Sequence, residues 1–235
     1  MMHFLIIAQM AASAATTATG RQLILAADIS PSQPQEVLRE HAALASALVS
    51  RLSFGDRLVV LQVRDKGLTA ADRGRSLTAP QPKNGKKILA SDRRQLSAFH
   101  KTAVQMTKEV IDPAKSDALT NTDLLATLQI AGQYFQDRGI RKPVLVIMSD
   151  MLQTVGDFNF ERAAPPDKNW IQHQKEAGLI PDLRGACVVI VGADVTTPRA
   201  LQIRRFWEEY LRAGNARVEQ YRLIAADASA LGCGL

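Results

Sequence analysis

Three polar stretches of this chain combine residue types and spacing suited to holding a hard cation. The first is Asp28-Ile29-Ser30-Pro31-Ser32, where Asp28, Ser30 and Ser32 occupy alternate positions. One carboxylate and two hydroxyls are hard oxygen donors, matched to Mg²⁺ rather than to Zn²⁺ or Cu²⁺. The second is Asn121-Thr122-Asp123 and the third is Ser149-Asp150. Each stretch alone has a plainer reading. Asp, Ser and Pro after a strand commonly make a turn and a helix N-cap. A Thr that opens a helix ordinarily satisfies free backbone N–H groups. What separates the two readings is whether the fold gathers the three stretches, and that depends on the elements that carry them.

Leu23-Ile24-Leu25-Ala26-Ala27 is an unbroken apolar run closed by turn formers, the signature of a central strand of a parallel sheet. Open α/β sheets bind ligands at the C-terminal ends of such strands, and Asp28 stands at this one. Apolar residues from Val37 to Leu52 recur at helical spacing and predict a helix over 34–52. Arg57–Val63 reads as the second strand. Arg64–Ala90, rich in Gly, Pro, Lys, Arg and Thr, offers no convincing edge strand; Lys86–Leu89 is the best remnant, and the stretch reads as a surface excursion. Helices follow over Asp92–Ile111 and Thr122–Arg138, the latter stopped by Gly139. A strand over Val144–Met148, a helix over Asn169–Ala177 and a strand over Ala186–Val191 come next. A helix opened by Thr197 and Pro198 and ended by Gly214 leads to a closing strand over Val218–Ile224. Strands alternating with helices imply a doubly wound, mostly parallel α/β sheet with right-handed crossovers. In that arrangement Thr122 and Asp150 reach the same sheet edge as Asp28.

With the stretches so placed, the chain resembles the von Willebrand factor type A family over Arg21 to Ala226. The metal-ion-dependent adhesion site of that family has D-x-S-x-S after the first strand, a Thr at the start of a later helix and an Asp after the fourth strand. Asp28, Ser30, Ser32, Thr122 and Asp150 match those positions. The resemblance implies a Rossmann-like fold and a bound Mg²⁺, with Mn²⁺ or Ca²⁺ as substitutes. It implies that the hydroxyls coordinate while Asp28 and Asp150 neutralise the ion and orient its waters. It also implies an open coordination position, filled by an Asp or Glu of a protein partner. Two departures bear on the loops around the ion. Ser149-Asp150-Met151 stands where many members have Thr-Asp-Gly, and Asn121 stands where Gly is common.

A chain of 235 residues is long enough for one well-buried domain. The net charge of +6 is spread over small clusters, and aromatic residues make up only 5%, so stacking platforms for nucleic acid are scarce and no nucleic-acid partner is expected. The positive faces suit acidic partners or peripheral contact with an anionic membrane surface. Cys187 and Cys233 fit no metal-binding spacing, and the sequence leaves their pairing open. No G-x-S-x-G, H-E-x-x-H, G-x-G-x-x-G or G-x-x-x-x-G-K-[ST] pattern occurs, so the chain reads as a non-enzyme. Residues 1–20 carry an apolar run followed by small residues and read as a signal peptide, although no Lys or Arg precedes the run. The expected organisation is that leader, a domain over 21–228 and a tail over 229–235. The expected function is an exported, periplasmic or secreted, protein-interaction module. The alternatives are a scaffold of a secretion or conjugation-type assembly with metal-independent contacts, a cytoplasmic location, and a Mg²⁺-dependent hydrolase.

Overall fold

The computed structural model describes residues 20–30, 33–63, 74–85, 87–111, 121–137, 142–156, 158–223 and 228–235. The elements in chain order are β1 (Arg21–Asp28), α1 (Gln35–Val49), β2 (Arg57–Val63), β3 (Arg75–Thr78), α2 (Ala90–Val110), α3 (Leu124–Phe135), β4 (Lys142–Met148), α4 (Lys168–Glu176), β5 (Cys187–Val191), α5 (Pro198–Ala213) and β6 (Arg217–Arg222). One sheet runs in the order β3-β2-β1-β4-β5-β6. The β1–β2, β1–β4, β4–β5 and β5–β6 pairs are parallel, and β2–β3 is antiparallel. The fold is therefore the α/β, mostly parallel architecture expected from the alternation of elements.

The central strands are apolar throughout because both faces of the sheet are covered. Leu23, Leu25 and Ala27 pack with Leu38, Leu48, Phe99 and Ala103 of α1 and α2. Ile24 and Ala26 belong to the opposite core with Leu128 and Phe135 of α3, Ile171 of α4 and Trp207 of α5. Helix starts are set by local chemistry. Asp123 caps α3 through Ala126 N–H, Asp167 caps α4 through Asn169 and Trp170 N–H, and Thr197 caps α5 through Ala200 N–H.

The excursion after β2 is the main difference from the sequence expectation. It contains a real edge strand, β3, paired with β2 in the register Arg57↔Thr78 to Val60↔Arg75. Lys87–Leu89, part of the remnant singled out in the sequence, is not strand. The reason is exposure: three of the four β3 residues face solvent and only Leu77 is half-buried, so the strand carries no apolar alternation to read. The Gly139 stop and the Ile224 end of the last strand lie outside the described residues.

At the opposite, N-terminal end of the sheet, Cys187 opens β5 and is disulfide-bonded to Cys233, with Cα atoms 5.6 Å apart and a sequence separation of 46. Ala228 and Leu231 are buried in the α1–α2 core, with Cys233 and Leu235 packed against it. The Arg21 guanidinium donates to the Gly234 carbonyl and pairs with Asp56. The last residues are thereby fastened to the start of the sheet.

Candidate functional site

β1 and β4 are neighbours with Ala27 opposite Met148, so their exits, Asp28 and Ser149-Asp150, leave the sheet side by side. Asp28 is fully buried. Its Oδ1 accepts the Ser30 N–H at 3.0 Å and its Oδ2 accepts the Ser149 hydroxyl at 2.9 Å. The side chains of Ser30 and Thr122 hydrogen-bond to the same carboxylate. Three residues, Ser30, Thr122 and Ser149, thus converge on one buried carboxylate. Ser32 lies outside the described residues.

Thr122 does not cap the helix that the sequence pattern begins with it; Asp123 does, and α3 starts at Leu124. A side chain two residues ahead of the helix is free to turn toward β1. The loop leaving β4 holds it there. Thr122 N–H donates to Thr154 Oγ1 at 2.7 Å, and Thr154 N–H returns a bond to the Thr122 carbonyl at 3.0 Å. Gln153 Oε1 accepts from Leu124 and Leu125 N–H, while its Nε2 donates to Asp123 Oδ1 at 3.1 Å. One side-chain amide therefore satisfies two free donors of α3 and fixes its cap.

Asp150 Oδ1 accepts Leu152 N–H at 3.0 Å. Burial, reinforced by repulsion from Asp28, pushes the Asp150 carboxyl up to about 7. Burial also raises the Asp28 carboxyl, against the pull of its hydrogen bonds. Among the described residues neither carboxylate is ion-paired. A fully buried and a half-buried carboxylate that repel one another without a counter-charge are costly, and a cation between them would remove that cost. The donors present suit a hard divalent cation. Ser30 and Thr122 hydroxyls keep lone pairs while donating to Asp28. No group of three or more His, Cys, Asp and Glu able to hold a metal occurs among the described residues. The side chains gathered here, Asp28, Ser30, Thr122 and Asp150, are oxygen donors, unlike the nitrogen and sulfur ligands of a zinc or copper site.

Two residues at this edge are not legible from the sequence pattern. Ser149 figures there beside Asp150 in the third polar stretch and as a departure from a family pattern, with no bond assigned to it, yet it bonds Asp28 and also accepts Met151 N–H at 3.0 Å. Its position at the end of an apolar run, beside a carboxylate, is the available signal. Met151 has φ 65°, the left-handed region, where the family resemblance has Gly. Its side chain is fully buried and its carbonyl accepts the Trp207 indole N–H at 2.9 Å. Behind the site, Gly192 has φ 103°, and a Cβ there would stand 3.0 Å from His41 Nε2 and 3.1 Å from the Ser149 carbonyl.

No protein-family model matches the chain, and no curated protein matches it. Among solved structures, its fold is similar to a von Willebrand factor type A protein from Catenulispora acidiphila, with 13% identity and a TM-score of 0.45 over 90% of this chain and 40% of that one. It is similar to the manganese-loaded TRAP protein of Plasmodium vivax, with 14% identity and a TM-score of 0.41 over 89% of this chain and 69% of that one. A third similarity is to the N-terminal domain of TFIIH p34, with 9% identity and a TM-score of 0.36 over 88% of this chain and 92% of that one. The chain spans 40% of the length of the first of these proteins.

Proposed function

We propose that this chain is an exported, non-catalytic protein-interaction module of the von Willebrand factor type A kind. In this reading Asp28, Ser30, Ser32, Thr122 and Asp150 hold a divalent cation, Mg²⁺ before Mn²⁺ or Ca²⁺, that receives an Asp or Glu of a partner protein. The observation that carries the proposal is the pair Asp28 and Asp150: a fully buried and a half-buried carboxyl, both raised, at neighbouring strand exits with no cationic partner among the described residues. When bound, the cation supplies the dominant local charge and a Lewis-acidic position for a carboxylate. The chain supplies the rest. Ser149 and Ser30 N–H fix the Asp28 carboxylate, and the Thr154–Thr122 bonds hold the hydroxyl of Thr122 against it. The Cys187–Cys233 disulfide supports an oxidising compartment. No helix among the described residues is long and apolar enough to cross a membrane.

The test is a melting curve with and without Mg²⁺. At a concentration about 100 times Kd the cation adds about 2.7 kcal/mol of stability, and Asp28→Ala removes that gain. A wild-type melting temperature unmoved by millimolar Mg²⁺ counts against the reading.

One observation favours the scaffold alternative. Lys87, Arg93, Arg94, Lys101 and Lys108, on or just before α2, are all exposed, and Ile88 among them is 47% exposed. A basic face of this kind fits an acidic partner surface or a peripheral anionic membrane contact without any metal. Partner capture that survives both EDTA and Asp28→Ala assigns the contact to that face.

A further inference from the structure

Beside Asp150 the C-terminal edge of the sheet opens into a groove of about 720 Å³, within the usual size of ligand sites. Its walls come from the start of α1, the β4–α4 segment, the start of α5 and the end of β6. Val37, Leu152, Phe160, Ile203 and Leu223 make its surface largely apolar. Phe160 is fixed from behind by Phe206, edge to face with ring centroids 5.2 Å apart, while Leu223 is 50% exposed. A rigid apolar floor with an open apolar lip is built to take side chains from outside.

The charge of the groove opposes that of the chain. In a protein of net charge +6, the described walls carry Glu40, Glu161 and Asp194, with the Asp150 carboxyl pushed up to about 7, against one cation, Arg199. That guanidinium is committed to the carbonyls of Phe160 and Ala163. Hydrogen bonds from Thr196 hold the Asp194 carboxyl below its ordinary range, so it is charged at neutral pH. Gln33 adds an independent sign of a ligand. Only 6% exposed and lining the groove, it has a buried Nε2 with no hydrogen-bond partner among the described residues. A buried amide donor left without an acceptor costs free energy that a bound carbonyl would recover.

We propose that this groove binds a short segment of a partner protein in which Lys or Arg alternates with large apolar residues. The apolar side chains lie on Val37, Phe160, Ile203 and Leu223, the basic ones face Glu40, Glu161 and Asp194, and a backbone carbonyl accepts from Gln33. The contact needs no metal, so it stands or falls separately from the cation reading of Asp28.

The test is fluorescence polarisation with the full chain in EDTA. The probe is a labelled, end-capped hexapeptide, Lys-Leu-Lys-Phe-Lys-Leu. The wild type binds it saturably, and binding weakens as salt shortens the screening length. One control replaces Leu and Phe by Ser, and the other replaces Lys by Glu. Each binds at least about tenfold more weakly, a loss of about 1.4 kcal/mol. Glu40→Lys with Glu161→Lys, both exposed positions, weakens the original probe by at least about tenfold, and Leu223→Asp does the same. Equal binding of either control, or indifference to the charge reversals and to Leu223→Asp, overturns the proposal. The control peptides and the salt series use wild-type protein, so they decide the matter even if a variant fails to fold. The cation reading is scored separately, by the Mg²⁺ melting shift.

Discussion

The Ser149 hydroxyl donates to Asp28 Oδ2 at 2.9 Å across 121 residues of sequence, joining the exits of the two central strands in a fully buried bond. Ser149 also accepts Met151 N–H, so a single hydroxyl orients the Asp28 carboxylate and the turn that presents Asp150. Ser149→Ala leaves both partners short of a bond. The expected loss is about 1–3 kcal/mol in a urea titration at neutral pH. If the cation reading holds, the same variant lowers Mg²⁺ affinity while leaving the apolar core, and hence the denaturant slope, unchanged.

His41 contributes one part of the pH dependence, opposite in sign to that of the raised Asp150 carboxyl, which favours the native state as the pH falls. The His41 ring is buried, its Nδ1 has no hydrogen-bond partner among the described residues, and burial lowers its pKa from 6.5 to about 4. The native state therefore keeps a neutral imidazole where the unfolded chain takes up a proton. Between pH 6.5 and about 4 the unfolded state binds more protons at this residue, so the His41 contribution to stability is complete above 6.5 and is lost as the pH drops through that window. The loss reaches about 3 kcal/mol at its lower end. His41→Leu cannot take up that proton. The difference in unfolding free energy between wild type and variant therefore shifts toward the variant on acidification from pH 7 to 4, measured by denaturant titration at each pH. A difference that stays flat across the window removes His41 as its source.

The disulfide closes a sequence separation of 46 and fastens the C-terminal residues to the start of β5. In the chain-entropy account a loop of that length contributes about 4 kcal/mol. Reduction under native conditions, or Cys187→Ser with Cys233→Ser, is expected to lower the unfolding free energy by about that amount. The Leu231 and Ala228 contacts on the α1–α2 core should loosen first, seen as faster amide exchange in 228–235 than in β1. Equal stability of the oxidised and reduced protein would deny the bond a structural role.

What the sequence made legible follows burial. β1, β2, β4 and β5 are covered on both faces, so they appear as unbroken apolar runs, and β2 has the bounds read from the sequence, Arg57–Val63. β3 is exposed at the edge and leaves no such pattern. Asp28, Thr122 and Asp150 can be placed at one edge because strand exits in a parallel sheet all point the same way. The partner of each oxygen is not legible. A Ser after a strand does not announce that it will bond Asp28 rather than solvent, and a Thr near a helix start looks like a cap until Asp123 takes that role. The acidic groove is invisible for a further reason: Val37, Phe160, Ile203 and Leu223 share no local period and meet only in three dimensions.

Met151 tests how the chain tolerates a left-handed residue at the turn that presents Asp150. A left-handed non-glycine residue costs about 1–2 kcal/mol, and here that cost is set against a fully buried side chain and the Trp207 indole bond to its carbonyl. Met151→Gly relieves the backbone and keeps the carbonyl, but it empties the side-chain site, where removing a buried Met costs about 2–5 kcal/mol. Lost packing outweighs relieved strain, so the variant is expected to be less stable by about 1–3 kcal/mol in a urea titration. Met151→Ala separates packing from strain: it empties nearly the same space while keeping the left-handed backbone, and should be less stable than Met151→Gly by about 1 kcal/mol. Were Met151→Gly more stable than the wild type, the buried side chain would contribute less than the strain it imposes, and the turn would be held by the Ser149 and Trp207 bonds alone.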